Sequence, residues 1–339
     1  MTAPLRLGIV GAGFIADVIA SAVRESEVAV VAAVASRKRQ SAASLAARHD
    51  IPAVFGSWEE LMGSADVDAV YCATPTSARE SICVAAAEAG KHVLAEKPFA
   101  NADSLERIIA QCRLHAVAFL DATHFVHHPR HQTLKRELDA RIGRPKSIHS
   151  SFFFPSMDPN NIRMRPDQEP TGAIGDMAWY CMRAIVEFTP SSAALVAARG
   201  FSERHPVTGS VVRGAGVLQL SDGCTSTWEA GYSTGASIAD LAIQGDRGMI
   251  TQDDFVLDWA QSVEVPDESL VPEFVQRAGI VNRRDFAHVQ VPSELRQSVL
   301  MVRAFAALAR SPRGDEHQAY EAASLRTQTL VDAIWKSLS

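Results

Sequence analysis

Short unbroken apolar runs alternating with amphipathic stretches govern the first third of the chain. Leu5 to Val10 is followed by a segment whose apolar positions, Ile15, Val18, Ile19, Ala22 and Val23, recur at helical spacing. The run Val28 to Ala35 comes next. Then come Val54-Phe55, a helix opened by Ser57 with Glu59 and Glu60 in its first turn, the run Ala69 to Ala73, a helix over 78–89 stopped by Gly90, and the run Lys91 to Ala95. Strands buried on both faces carry no polar alternation, and their regular exchange with helices predicts a parallel sheet covered on both sides. After His124 the texture changes. Segments around Ile148 to Phe154, Ala193 to Gly200, Val211 to Leu220, Thr225 to Tyr232 and Ile238 to Gly245 read as strands, joined by turns as short as Ser221-Asp222-Gly223. Two helices, from about Ser293 to Ala309 and from about Glu321 to Ser337, close the chain. The predicted fold class is α/β: a doubly wound parallel sheet over 1–124, then an α+β domain with a large, mostly antiparallel open sheet over 125–339.

The first turn carries chemistry. Gly11-Ala12-Gly13-Phe14-Ile15-Ala16 stands between a strand and a helix, where Gly11 permits a tight turn, Gly13 lets the backbone approach a pyrophosphate and Ala16 permits close helix packing. The phosphates would sit on the helix N-terminus. At the end of the next strand such a fold places the group that reads the adenine ribose. There the chain offers Ser36 and Arg37, then Lys38 and Arg39, in place of an acid. Donors and a cation suit a 2′-phosphate, so NADP is expected over NAD, with Lys38 and Arg39 read as a solvated loop.

Thr74-Pro75 and Glu96-Lys97-Pro98 follow two further strands at their carboxyl ends, the side on which open α/β sheets bind ligands. In the second half, Gly172 to Tyr180 suggests a loop running into a helix, with Asp176 and Tyr180 at i and i+4 on one side of it. Tyr180 can act as acid or base in a carbonyl–alcohol interconversion. Moving a phenol from ~10 to neutrality requires roughly 4 kcal/mol of preferential phenolate stabilisation, which a nearby ammonium such as Lys97 helps to supply. Asp176 would orient substrate hydroxyls or hold Lys97 charged.

Composition narrows the field. The chain has 339 residues, 47% hydrophobic and 21% charged, with a net charge of −6, the profile of a globular protein that binds small molecules and not nucleic acid. Its five cysteines show no ligand spacing, so neither metal nor disulfide is expected. No apolar run approaches the ~20 residues of a membrane span, and the first strand begins within a few residues of Met1, which leaves no space for a signal peptide; the expected location is cytoplasmic.

With these motifs the chain resembles the Gfo/Idh/MocA family of oxidoreductases over nearly its whole length. Tyr180, where many members carry histidine, together with Asp121 to Arg130 and Asn161 to Pro166, is similar to the branch of dimeric dihydrodiol dehydrogenases, NADP-linked xylose dehydrogenases and glucose–fructose oxidoreductase. The resemblance implies a Rossmann domain over 1–124, a substrate-binding and oligomerisation domain over 125–339, and hydride transfer between NADP and a secondary alcohol of a sugar, polyol or cyclic trans-diol. It makes Lys97 and Tyr180 the acid–base pair and Asp176 their partner. It places Gly11, Gly13, Phe14, Ile15, Ser36, Arg37, Thr74, Pro75, Glu96 and Lys97 around the cofactor, and His124, Arg163 and Trp179 around the substrate. A homodimer or homotetramer through the exposed face of the second sheet is expected. Two departures stand out: Arg79 replaces a usual histidine, and Ala178 a usual glycine.

Other features have simpler readings. His124, His127, His128 and His131 lack the carboxylate or cysteine company of a metal site; His124 is read as a cleft wall and the others as surface or packing positions. Arg163 and Arg165 are either anchors for a ligand oxygen or solvated. A non-enzymatic NADP-binding sensor or regulator on the same fold is the alternative function, disfavoured by the joint presence of Lys97, Asp176 and Tyr180.

Overall fold

The apolar run Leu5–Val10 forms strand β1, and the glycines behind it turn the chain into helix α1 (Phe14–Ser26), whose apolar positions Ile19, Ala22 and Val23 are buried. In the computed structural model, which describes residues 3–262 and 266–338, the alternation continues. It runs through β2 (Ala29–Ala35), α2 (Arg39–His49), β3 (Ala53–Phe55), α3 (Trp58–Met62), β4 (Ala69–Cys72), α4 (Thr76–Glu88), β5 (His92–Ala95), α5 (Ala102–Leu114) and β6 (Phe119–Asp121). These six strands pair in parallel in the order β3-β2-β1-β4-β5-β6. The order reverses between β1 and β4, and a crevice at the carboxyl ends of such strands is where this topology binds ligands. Side-chain caps set local starts: Ser57 accepts from the Glu60 amide at 3.2 Å and Asn101 from the Ser104 amide at 2.8 Å.

The remaining elements are α6 (Pro129–Ile142), β7 (Pro145–Phe153), α7 (Gly172–Asp176), α8 (Ala178–Phe188), β8 (Leu195–Arg204), β9 (Val211–Leu220), β10 (Thr225–Gly231), β11 (Ile238–Gly245), β12 (Met249–Gln252), β13 (Glu273–Arg277), β14 (Ala287–Gln290), α9 (Gln297–Arg310) and α10 (Asp315–Ser337). An eight-stranded sheet runs β14-β13-β12-β11-β7-β10-β9-β8, antiparallel at every junction except β7–β10, which is parallel. The mostly antiparallel α+β architecture matches the sequence reading. Strands β12, β13 and β14 extend it beyond the expected set; each is four or five residues long and mixes polar with apolar positions. α10 starts earlier than expected, with Asp315 and Glu316 at its positive end.

The chain divides into two compact units. The first comprises the residues up to His124 together with Leu295–Leu325, and the second comprises Phe125–Glu294 with the residues from Arg326 onward. The segment 295–325 therefore leaves the 125–339 domain assigned from sequence and joins the parallel sheet. Hydrophobic burial is the reason: Val299, Val302 and Phe305 of α9 lie in the same apolar core as Leu7, Ile19 and Val23. Arg296 adds an ion pair to Glu25, and Arg303 donates to the Ser26 carbonyl at 3.0 Å.

Candidate active site

In the first unit the glycine turn is locked from one side and open on the other. Gly11 has φ +112°, and a β-carbon there would lie 2.4 Å from the Ala73 carbonyl oxygen, so both its backbone conformation and the close approach of the β4–α4 loop demand glycine. Its amide donates to Ala35 at 2.9 Å, which brings the turn against the carboxyl end of β2. Gly13 differs: a β-carbon there would meet nothing within 4 Å, and it is the N-cap of α1 with no side chain capping the helix. An uncapped helix start behind an open glycine is a cradle fitted to an anionic group. Phe14, 65% exposed, and half-buried Ile15 form its first turn. Ser36, half-buried, accepts from the Lys38 amide at 3.3 Å beside exposed Arg37. These residues fit a phosphorylated dinucleotide.

Thr74 and Pro75 leave β4, with Pro75 as the N-cap of α4, and Glu96 and Lys97 leave β5. Glu96 accepts from the Tyr71 hydroxyl at 2.6 Å; burial and this carboxylate hold the Tyr71 phenol well above its usual range. Lys97 is buried. The residue that sequence reasoning left without a role is Arg79, which is buried and donates to the carbonyls of Thr74, at 2.5 Å, and Pro98. Its only sequence signal is its replacement of a usual histidine. His124 is half-buried and bonds Gln297 Oε1 through Nδ1 at 2.6 Å; desolvation outweighs that bond and lowers its pKa to about 4, so it is neutral at physiological pH.

In the second unit, Asp176 ends α7. Gly172 at the start of α7 has φ +49°, and a β-carbon there would meet the Val211 carbonyl oxygen at 2.4 Å, so the helix seats directly on β9. The single helix expected to carry Asp176 and Tyr180 is instead two, broken at Met177. Asp176 Oδ2 accepts from Arg163 Nε at 2.7 Å and from the Tyr232 hydroxyl at 2.8 Å. The Asp176 charge raises the Arg163 pKa further, and burial with that same carboxylate pushes the Tyr232 phenol well up, so the arginine stays charged and the phenol neutral at neutral pH. Arg163 also stands over the Tyr232 ring, 5.9 Å from its centroid. Tyr232, which follows the last residue of β10, was not foreseen; nothing distinguishes it from a core aromatic until the strand register brings it to Asp176.

Tyr180 lies between aromatic rings, 5.1 Å from Phe152 edge-on and 6.2 Å from Phe125. Trp179, expected at the substrate, has no accessible surface: every residue of α8 is buried, with the helix packed on β7 and β10. His128 and His131 are likewise interior, His128 Nε2 3.2 Å from Asp258 and His131 Nε2 3.5 Å from Glu187. Among the described residues no group of three or more histidine, cysteine, aspartate or glutamate side chains is arranged to hold a metal ion. None of the described helices is long and apolar enough to cross a membrane.

Comparison with known proteins places both halves of the chain. Residues 5–121 match the GFO_IDH_MocA model, the oxidoreductase family with an NAD-binding Rossmann fold, and residues 131–251 match the GFO/IDH/MocA C-terminal domain. The chain is similar to dTDP-3,4-didehydro-2,6-dideoxy-alpha-D-glucose 3-reductase of Actinomadura kijaniata, with 30% identity over 334 residues covering 98% of this chain and 95% of that one. It is also similar to D-xylose 1-dehydrogenase (NADP(+)) 2 of Haloferax volcanii, with 30% identity over 68% of this chain and 70% of the relative. A crystal structure of KijD10, a 3-ketoreductase from Actinomadura kijaniata in complex with NADP and TDP-benzene, superposes with a TM-score of 0.87 at 26% identity, over 99% of this chain and 98% of that one.

Proposed function

The chain belongs to the Gfo/Idh/MocA oxidoreductase family, and from that premise we propose that it is an NADP-dependent enzyme interconverting a secondary alcohol and a carbonyl on a sugar, polyol or cyclic trans-diol. The observation that carries the reading is the first-unit cradle: Gly11 pinned against Ala73, Gly13 facing open space, and Ser36-Arg37 at the adjoining strand end. When bound, NADP supplies or accepts the hydride. Phe14, Ile15, Thr74, Pro75 and Glu96 border its site, and Ser36 and Arg37 select it over NAD by donating to the 2′-phosphate.

The proton is the protein's task. Tyr180 Oη gives a proton to the substrate oxygen in reduction and takes it back in oxidation, with Lys97 as the cation that favours the phenolate. Asp176, held in one orientation by Arg163 and Tyr232, offers its carboxylate to substrate hydroxyls. Arg163 thus acts on the substrate through Asp176, while His124, kept neutral, offers a hydrogen-bonding wall. The name of the Actinomadura relative, a reductase of a keto sugar nucleotide, makes reduction at a sugar ring carbon the first chemistry to test. The reading includes assembly as a homodimer or homotetramer through the second sheet, where Val196 and Phe201 of β8 and Val217 of β9 stand exposed; sedimentation velocity checks it.

The deciding experiment follows absorbance at the reduced-nicotinamide band with NADP or NAD and a panel of aldoses, polyols and cyclic trans-diols, and with NADPH and keto sugars. Turnover with the phosphorylated cofactor on one substrate class is expected. Silence across the panel combined with tight NADPH binding would favour the sensor reading instead.

A further inference from the structure

Arg79 is placed where two ligand-side loops meet. It lies on α4, is 3% exposed, and its guanidinium donates from Nη2 to the Thr74 carbonyl at 2.5 Å and from Nη1 to the Pro98 carbonyl and to Thr76 Oγ1, the last at 3.2 Å. Thr74 belongs to the loop leaving β4, whose preceding residue, Ala73, is the one Gly11 abuts. Pro98 follows Lys97 in the loop leaving β5. One side chain therefore joins the glycine turn, through Ala73 and Thr74, to the peptide next to the candidate catalytic lysine.

Only arginine makes this connection. A guanidinium presents a rigid fork with donors on two nitrogens that reaches two separate carbonyls at once, whereas a lysine offers one point of attachment and a histidine ring is too short to span both. Burying the cation costs desolvation, which the three acceptors offset only while both loops keep their places. The dependence is mutual, since bonds that tolerate the buried cation also fix the loops.

We infer that Arg79 is a positioning residue that sets Lys97 in register with the cofactor cradle. This rests on the reading of the first unit as the NADP site. Arg79 touches neither substrate nor cofactor in this scheme, and acts through the loop that carries Lys97.

The test is a double-mutant cycle on NADPH binding, followed by nicotinamide fluorescence with the full-length protein, using Arg79→Met, Arg79→Lys and Arg79→His in the wild-type and Lys97→Met backgrounds. Thermal melting of each unliganded variant reports folding separately. Expected is a weakening of roughly ten- to a hundredfold for Arg79→Met in the wild-type background, a smaller loss for Arg79→Lys, and at most about a twofold further loss once Lys97 is absent. Equal losses in both backgrounds would assign Arg79 a purely structural role and overturn the inference. So would unchanged affinity in Arg79→Met while the wild type binds. If Arg79→Met does not fold, Arg79→Lys carries the same cycle with the same two outcomes. Failure of the wild type itself to bind NADPH would instead overturn the cofactor reading from which this one starts.

Discussion

The Tyr232 hydroxyl donates to Asp176 Oδ2 over 2.8 Å, the same oxygen that receives the Arg163 Nε hydrogen at 2.7 Å. Two donors on one oxygen fix the plane of the carboxylate and leave its direction no freedom. Tyr232→Phe removes the neutral donor and keeps the ion pair, so a loss of about 1 kcal/mol of stability is expected by urea denaturation, with a raised KM for the substrate. Arg163→Met leaves the partly buried carboxylate without its cation and is expected to cost more on both measures. Equal losses in the two variants would show that the Arg163 charge adds nothing beyond a neutral hydrogen bond.

Tyr180→Phe is the cleanest probe of the proton step. The ring sits among Phe152 and Phe125, so a phenylalanine fills the same space and the fold is expected to be unchanged. Turnover should disappear while NADPH affinity stays within about twofold of wild type. A near-normal rate would remove Tyr180 from the mechanism.

Two glycines of the same turn should respond in opposite ways. At Gly13 an added methyl meets nothing in the free protein and φ is −90°, so Gly13→Ala should melt like wild type yet bind NADPH poorly. At Gly11 the positive φ and the Ala73 carbonyl predict a loss of at least about 2 kcal/mol for the alanine variant, whether or not cofactor is present. Melting curves with and without NADPH separate the cases.

Arg37→Ala should weaken NADP far more than NAD, because the lost group pairs with a phosphate that NAD lacks. Isothermal titration with both cofactors reads the ratio. Parallel losses would dissociate Arg37 from the 2′-phosphate.

His124 gives the fold a pH signature. Its folded pKa of about 4 lies below the ~6.5 of an unfolded histidine, so between those values the unfolded chain binds the proton that the native chain refuses. Its contribution is complete above pH 6.5 and is lost as pH falls toward 4. Unfolding free energies at pH 7, 5.5 and 4.5 should therefore fall less steeply in His124→Asn than in wild type. Identical slopes would assign the acid sensitivity to other groups.

What could be read in advance follows a physical division. Strand interiors such as Val211–Leu220 and Ile238–Gly245 announce themselves by composition and turn chemistry, and their observed limits coincide with the expected ones. Gly11 was legible because its backbone conformation and the close approach of Ala73 both exclude other residues. Partnerships across the fold were not. Nothing local tells Arg163 that Asp176 will stand against it, or that Met177 will break the helix between Asp176 and Tyr180, because those outcomes depend on how α7 seats on β9. The burial of Trp179 was hidden for a related reason: periodicity marks an amphipathic helix by its one apolar face, whereas every residue of α8 is buried. The parallel β7–β10 pair was equally hidden, since a short turn suggests antiparallel neighbours and says nothing about which earlier strand the hairpin will join.

The membership of α9 in the first unit bears on how the protein is made. Val299, Val302 and Phe305 complete a core whose other side is built from Leu7, Ile19 and Val23, so that core stays open at the ribosome until the whole of Phe125–Glu294 has been synthesised. A nascent chain halted near His124 exposes the apolar side of α1 to solvent, and a recombinant fragment cut at the same point inherits the same bare face.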